Sequence, residues 1–133
     1  MYRLHKSTNE DPSMNGKWYA RAVPTGTITY DEFCKMCQSN STVKSADVES
    51  VINEFFAELK RQLQQSHRVK IDGLGAFVLN LRSTGAATYD AYDVKKNVKL
   101  VRVVFTEERK NHQKLLTDGV KFKELPHYAP PQS

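Results

Sequence analysis

Residues 68–82 read RVKIDGLGAFVLNLR. Val69 and Ile71 alternate with charged residues before Gly73 and Gly75, and Phe77, Leu79 and Leu81 alternate with smaller or polar residues after them. A period of two on both sides of a glycine pair predicts two antiparallel strands joined by a tight turn. Directly upstream, Val48, Val51, Ile52, Phe55, Phe56, Leu59 and Leu63 fall at spacings of three and four. That is a wide apolar stripe over about five helical turns. A helix feeding a hairpin predicts an α+β, helix-on-sheet module.

Moving outward, the long helix is expected to begin with Ser45 as its N-cap, with Asp47 and Glu49 opposing the positive end of the helix dipole. An earlier helix starts at Thr29: Glu32 stands three residues on for a capping box, and Ile28 and Phe33 are placed as a hydrophobic staple. Phe33, Met36 and Cys37 form its expected apolar face, and the turn-forming run QSNST at 38–42 ends it. Two short strands, Tyr2 to His5 and Lys17 to Val23, flank a turn-rich segment and predict an N-terminal hairpin, closed off by Pro24 and Gly26. Trp18, Ala20 and Ala22 fall on one face of it, and Tyr19, Arg21 and Val23 on the other.

Beyond Arg82, the run STGAATYDAYDVKKN has no sustained period and reads as an arm, a long hairpin end or a disordered loop. VKLVRVVF from Val98 predicts a third strand with Val101, Val103 and Phe105 on one face. A short helix is expected from Glu107 through Leu115 and Leu116, ended by Gly119, with Val120, Phe122 and Leu125 in a last extended piece. The expected organisation is an N-terminal β extension (1–27), a main domain (28–125) and a Pro-rich tail (126–133).

At 133 residues the chain suits one domain with a modest core. No apolar run approaches the ~18 residues that span a bilayer, and MYRLHKSTNEDPSMNGK lacks the apolar centre of a secretory signal, so a cytoplasmic protein is expected. The net charge of +5 is unevenly spread. Residues 1–66 carry 8 Lys/Arg against 8 Asp/Glu, whereas residues 67–133 carry 12 against 7. Positive charge segregated with the strands suits a polyanion partner; solubility alone is the other reading of so modest a surplus.

Cys34 and Cys37 form a C-x-x-C inside a predicted helix, away from the βαβ setting of a redox motif. His5, His67, His112 and His127 are scattered singly, without zinc-ligand spacing. Core or half-buried free thiols are expected, with metal or redox use as the alternative, and neither a metal nor a cofactor is assigned. There is no P-loop, G-x-S-x-G or H-E-x-x-H, so no enzyme is expected, and Asp72 near His67 and Lys70 reads as hairpin-stabilising. The stripe around Phe55, Phe56 and Leu59 needs a second apolar layer. A two-fold homodimer supplies one, and the N-terminal extension folding over it in a monomer is the alternative.

The helical pair, the G-L-G hairpin followed by Phe77, the arm and the third strand, over Ile28 to Leu116, resemble the HU/IHF family of bacterial histone-like DNA-binding proteins. KWYARAV at 17–23, DGLGAF at 72–77 and VKFKEL at 120–125 resemble its longer subfamily with an N-terminal addition. The resemblance implies an intertwined dimer with a helical base, a three-stranded antiparallel β saddle and two arms that grip double-stranded DNA in the nucleoid with little base readout. Carried over by position, Lys70 lies on the first saddle strand, Gly73 and Gly75 at the hairpin turn, Arg82 at the base of the arm, and Arg109 at the opening of the last helix. Lys95, Lys96, Lys99 and Arg102 lie on the returning side of the arm and complete the expected phosphate contacts.

Departures from the family pattern are specific. The arm-tip motif Arg-Asn-Pro-x-Thr-Gly is absent, and no proline occurs between Pro24 and Pro126. Asn80 stands where compact members place an arginine, Glu107 and Glu108 stand near a usual lysine, and Asp90 and Asp93 dilute the arm. Tyr89 or Tyr92 could stack on bases in place of the proline wedge, or serve as packing residues. Two functions follow: a sequence-nonspecific DNA-binding protein, or a dimeric structural and protein-interaction module with weak or no DNA grip. No small-molecule substrate is expected for either.

Overall fold

A computed structural model of the chain describes residues 1–126; the expected tail beyond Pro126 lies outside the described residues. The chain is mixed α and β with small antiparallel sheets, and it separates into two compact units. Among the described residues, one comprises Met1–Phe33 with 119–126, and the other is Cys34–Asp118. The C-terminal segment thus groups with the N-terminal hairpin, a division different from the expected 28–125 main domain.

In the first unit, β1 (Tyr2–Lys6) pairs antiparallel with β2 (Trp18–Ala22), as the alternation predicted. The connection is built from short polar side chains: Asp11 accepts from the backbone and hydroxyl of Ser13 at 2.8 and 2.7 Å. Those bonds hold its carboxyl below the usual range. On its other edge β1 meets residues 123–125 in parallel, through Tyr2 N–H to Lys123 C=O at 3.0 Å and Leu125 N–H to Tyr2 C=O at 2.8 Å. The last extended piece is therefore a third strand in all but length.

α1 (Tyr30–Ser39) begins with the expected capping box. The Glu32 N–H donates to Thr29 Oγ1 at 3.3 Å, and Glu32 Oε2 accepts from the Thr29 N–H at 2.9 Å and from its hydroxyl at 3.0 Å, which lowers the Glu32 carboxyl pKa. Its apolar face is a correction. Cys34 is the buried residue, at 1% exposure, while Phe33 and Met36 stay exposed and Cys37 is half-buried; both thiols are free.

α2 (Ser45–Gln64) is 20 residues without Gly or Pro, about 30 Å long. Ser45 is its first residue rather than its cap. Lys44 takes the capping position in extended backbone, with no side-chain bond, and its C=O accepts from Asp47 and Val48. The far end closes in a Schellman pattern, His67 N–H to Gln62 C=O and Ser66 N–H to Leu63 C=O, which puts Ser66 at φ +64°. Near that end Arg61 grips Glu58, with Nε–Oε2 at 2.9 Å, and Gln62 donates to the same carboxylate. These bonds pull Glu58 from 4.5 to about 2. A depressed carboxyl contributes its stabilisation above its unfolded value and loses it as pH falls through the folded one. Glu58 should therefore stay ionised well below pH 4, and a carboxyl-carbon NMR titration should place its midpoint near 2. A midpoint at the ordinary value would show that Arg61 does not hold it in solution.

The second unit's sheet has the order β3 (Val69–Ile71), β4 (Gly75–Ser83), β5 (Val98–Glu107), all antiparallel, as expected. Phe77 stands between Val69 and Phe105, Leu79 opposite Val103 and Leu81 opposite Val101, so the apolar residues share one face. The Phe77 and Phe105 rings are 4.8 Å apart, a cross-strand pair contributing about 0.5–1.5 kcal/mol beyond its buried area. α2 lies against β3 and β4, with Val48, Ile52 and Leu59 half-buried and Leu63 buried. Coverage is incomplete. Val51, Phe55, Phe56, Leu81, Val101, Val103 and Phe105 remain exposed, and a groove of about 350 Å³ runs between Phe56, Leu59 and Leu63 and Phe77, Leu79 and Val103.

The expected C-terminal helix is absent. Its residues form a small hairpin, β6 (Arg109–Lys110) with β7 (Gln113–Lys114), closed by Asn111 and His112 at φ +51° and +67°. Two consecutive left-handed residues make a type I′ turn, for which asparagine is well suited. A helix this short is marginal on its own, whereas the hairpin is tied in by Leu115 N–H to Glu108 C=O at 2.9 Å and by Thr117 and Lys114 on Glu107. Among the described residues, no helix is long and apolar enough to cross a membrane.

Candidate nucleic-acid interface

Strand alternation decides which cations share a surface. α2 and the groove take the face of Phe77, Leu79 and Val103, so the opposite face of the sheet carries Lys70, Asn80, Arg82 and Arg102. Arg82 pairs with Leu100 and Asn80 with Arg102, which makes the two arginines diagonal neighbours with Cα atoms about 7–8 Å apart. Neither has a carboxylate within ion-pair distance among the described residues. Lys70, opposite Ala76, lies about 20 Å along the ribbon from Arg82.

The end of the ribbon beyond Arg82 is an ordered loop rather than a long β arm. Asn97 clamps it: its N–H₂ donates to Thr84 O, Thr84 Oγ1 and Gly85 O, and its C=O accepts from Thr84 N–H at 2.9 Å. Asp93 caps the short helix α3 (Val94–Asn97) through Lys95 N–H at 2.8 Å and donates its own N–H to Asn97 Oδ1 at 2.9 Å. Lys95 and Lys96 are thereby fixed at the Arg82 end. Lys99 is the extra residue where the register slips between Arg82 and Ser83, and its ammonium donates to Lys96 C=O at 2.6 Å. Tyr89, at the start of the loop's turn, is 95% exposed and so is not a packing residue, while Tyr92 is 41% exposed.

The other end of the sheet is electrostatically mixed. Arg68, Lys70 and Arg109 line a depression of about 270 Å³ together with Glu107 and Glu108. Lys70 Nζ stands 3.8 Å from Asp72 and 4.0 Å from Glu108, a partly exposed arrangement of the kind that contributes about 0–1 kcal/mol. Glu108, between β5 and β6, also accepts the Gly73 N–H, so the hairpin turn is held by the residue that follows β5. Gly73 and Gly75 shape this turn. Gly73, at φ +83°, follows Asp72 in a turn closed by Leu74 N–H to Ile71 C=O, and Gly75 lets β5 approach closely. Arg109, expected to open a helix, sits instead at the start of the small hairpin.

The nine expected contacts therefore divide. Arg82, Lys95, Lys96, Lys99 and Arg102 come together at the loop end; Lys70, Gly73, Gly75 and Arg109 lie at the other. Arg68 was missed, although its two-residue spacing from Lys70 is the signal that places both on one face.

The family model described as HU domain fused to wHTH, Ig, or Glycine-rich motif, HU-HIG, matches residues 1–123. This chain belongs to the HU-HIG family. Its fold is similar to that of a protein from Bacteroides vulgatus ATCC 8482 described as a candidate bacterial DNA-binding protein, with a TM-score of 0.57 and 19% identity. The likeness covers 79% of the HU-HIG chain and 40% of the other, so this chain spans about two fifths of that protein. No curated protein matches the sequence.

Proposed function

We propose that this HU-HIG chain is a non-enzymatic, dimeric DNA-binding protein that reads the phosphate backbone with little sequence preference. The observation that carries the reading is the Arg82–Arg102 pair: two guanidiniums without acidic partners among the described residues, on the sheet face turned away from α2, beside Lys95, Lys96 and Lys99. Family membership and the DNA-binding description of the structural neighbour support it. In this reading the sheet acts as one half of a β saddle, and the loop end lies along the duplex with Tyr89 available to stack on a base. Lys70, Gly73, Gly75 and Arg109 contribute less, because Asp72, Glu107 and Glu108 offset the charge at their end. The nucleoid is the location this function implies.

A second copy is the proposed cover for the apolar residues left exposed on α2 and on the inner face of the sheet. Fluorescence anisotropy of a labelled random-sequence duplex tests the whole reading. Tight binding at ~50 mM salt should collapse by ~200 mM, and Arg82→Ala, Arg102→Ala or Lys96→Ala should each lower the log–log salt slope by about 0.9, equally across unrelated sequences. An absence of binding at the lower salt would favour the interaction module, for which the mixed charge around Lys70 already speaks.

A further inference from the structure

The N-terminal sheet carries a charge arrangement that its own stability does not explain. Arg3 stands directly opposite Arg21, and His5 opposite Tyr19, on one face of the β1–β2 hairpin. The parallel bridge between Tyr2 and Glu124 places Glu124 on the other face and Lys123 on this one. Three cations thus share a face whose described strand positions include no acidic residue, and among the described residues neither arginine makes an ion pair. Like charges directly opposite in an antiparallel pair are destabilising, with Cβ atoms about 5 Å apart. The reverse face is ordinary by comparison, its Tyr2, Leu4, Ala20 and Ala22 lining an apolar pocket with Val120 and Phe122.

Two forked guanidiniums at that spacing suit a single phosphate between them, each offering paired N–H donors. Beside them His5 Nδ1 lies 2.9 Å from the Tyr19 C=O. A carbonyl only accepts, so Nδ1 carries the proton and Nε2 is the nitrogen left for another partner. The half-buried Tyr19 ring, 6.0 Å from the imidazole, adds an aromatic surface of the kind on which bases or sugars rest.

We propose that this face is a second nucleic-acid contact, in which Arg3 and Arg21 hold a backbone phosphate between them with Lys123 alongside. The class of ligand rests on the function proposed above, whereas the site is separate from the β4–β5 ribbon. The test compares full-chain Arg3→Gln/Arg21→Gln with Arg82→Ala/Arg102→Ala by duplex anisotropy across ~50–200 mM salt, and by melting temperature without DNA. The N-terminal double variant should bind about fivefold or more weakly, with a salt slope lower by roughly one to two. Its melting temperature should be unchanged or higher, because a repulsive pair is gone. Wild-type affinity and slope in this variant, with weakened binding only in the Arg82/Arg102 variant, would overturn the inference and leave the main function standing. A melting temperature that falls with the affinity would assign the pair a structural role and overturn it too. If the wild-type chain binds no duplex, both readings fail together.

Discussion

Gly75→Ala should destabilise the protein by roughly 2–6 kcal/mol, the sum expected from overpacking and from a disfavoured backbone conformation. A Cβ built at Gly75 would lie 2.2 Å from the Thr106 carbonyl oxygen and 2.9 Å from the Glu107 Cα, with the Phe105 ring at 2.9 Å. The first two are backbone atoms of the paired strand, so no side-chain rotation relieves the clash. Relief requires β4 to move off β5 where Gly75 pairs with Glu107 and Ala76 with Thr106, next to the Phe77–Phe105 pair. The φ of +150° adds a conformation that alanine rarely takes. Against a typical total stability of about 5–15 kcal/mol, this is a large fraction. Urea unfolding followed by circular dichroism measures it, with two internal controls. Gly73→Ala meets no atom within 4 Å and should cost only the left-handed penalty of about 1–2 kcal/mol; Gly85→Ala meets none either, has no positive φ, and should be close to neutral. A Gly75→Ala midpoint equal to that of Gly85→Ala would mean that the strands do not approach as described.

Val51→Glu should separate the proposed dimer while leaving α2 helical. Val51 is 68% exposed on α2, off the line of Val48, Ile52, Leu59 and Leu63 that faces inward. Glutamate is a good helix former, so on an exposed helical position the change costs the single chain little. Within an apolar interface it would leave an unpaired charge out of water, a penalty of about 3–5 kcal/mol. That corresponds to a dissociation constant raised from roughly 10²-fold to a few thousandfold. Sedimentation equilibrium over a concentration series gives the mass, and far-ultraviolet circular dichroism gives the helix content. Retention of the wild-type mass distribution would show that this face of α2 is not the interface. Loss of helicity together with mass would show that the single chain does not stand without its partner.

How legible each part was follows from the range of the interactions behind it. Thr29 and Glu32 announce a helix start because both hydrogen bonds of the capping box close within three residues. The hairpin and third strand were legible because alternation around Gly73, Gly75 and Val98 is local, and the register follows once the apolar face is chosen. The one-residue error at Ser45 arose because serine is a common cap, whereas here Lys44 takes the position without a side-chain bond. Choosing Phe33, Met36 and Cys37 over Cys34 failed for a different reason. Burial depends on what the helix meets, and α1 alone offers apolar residues on more than one side.

The site divides in the same way. The family resemblance put forward Lys70 and Arg82, and the reading of the returning strand Arg102, but neither could show that Glu108 would reach back to Gly73, 35 residues away, and temper Lys70. Nor could they show that Asn97 would bind Thr84 and Gly85 and so decide, among an arm, a hairpin end and a disordered loop, for a held loop bearing Lys95 and Lys96. The sequence by itself determined the helix starts, the strand faces and the segregation of positive charge, since each rests on bonds or periods spanning a few residues. Only the tertiary structure decided that the last helix would be a hairpin, that residues 123–125 would join β1, and which cations would keep their charge unshared. Those outcomes depend on contacts between distant segments, whose strength no local pattern records.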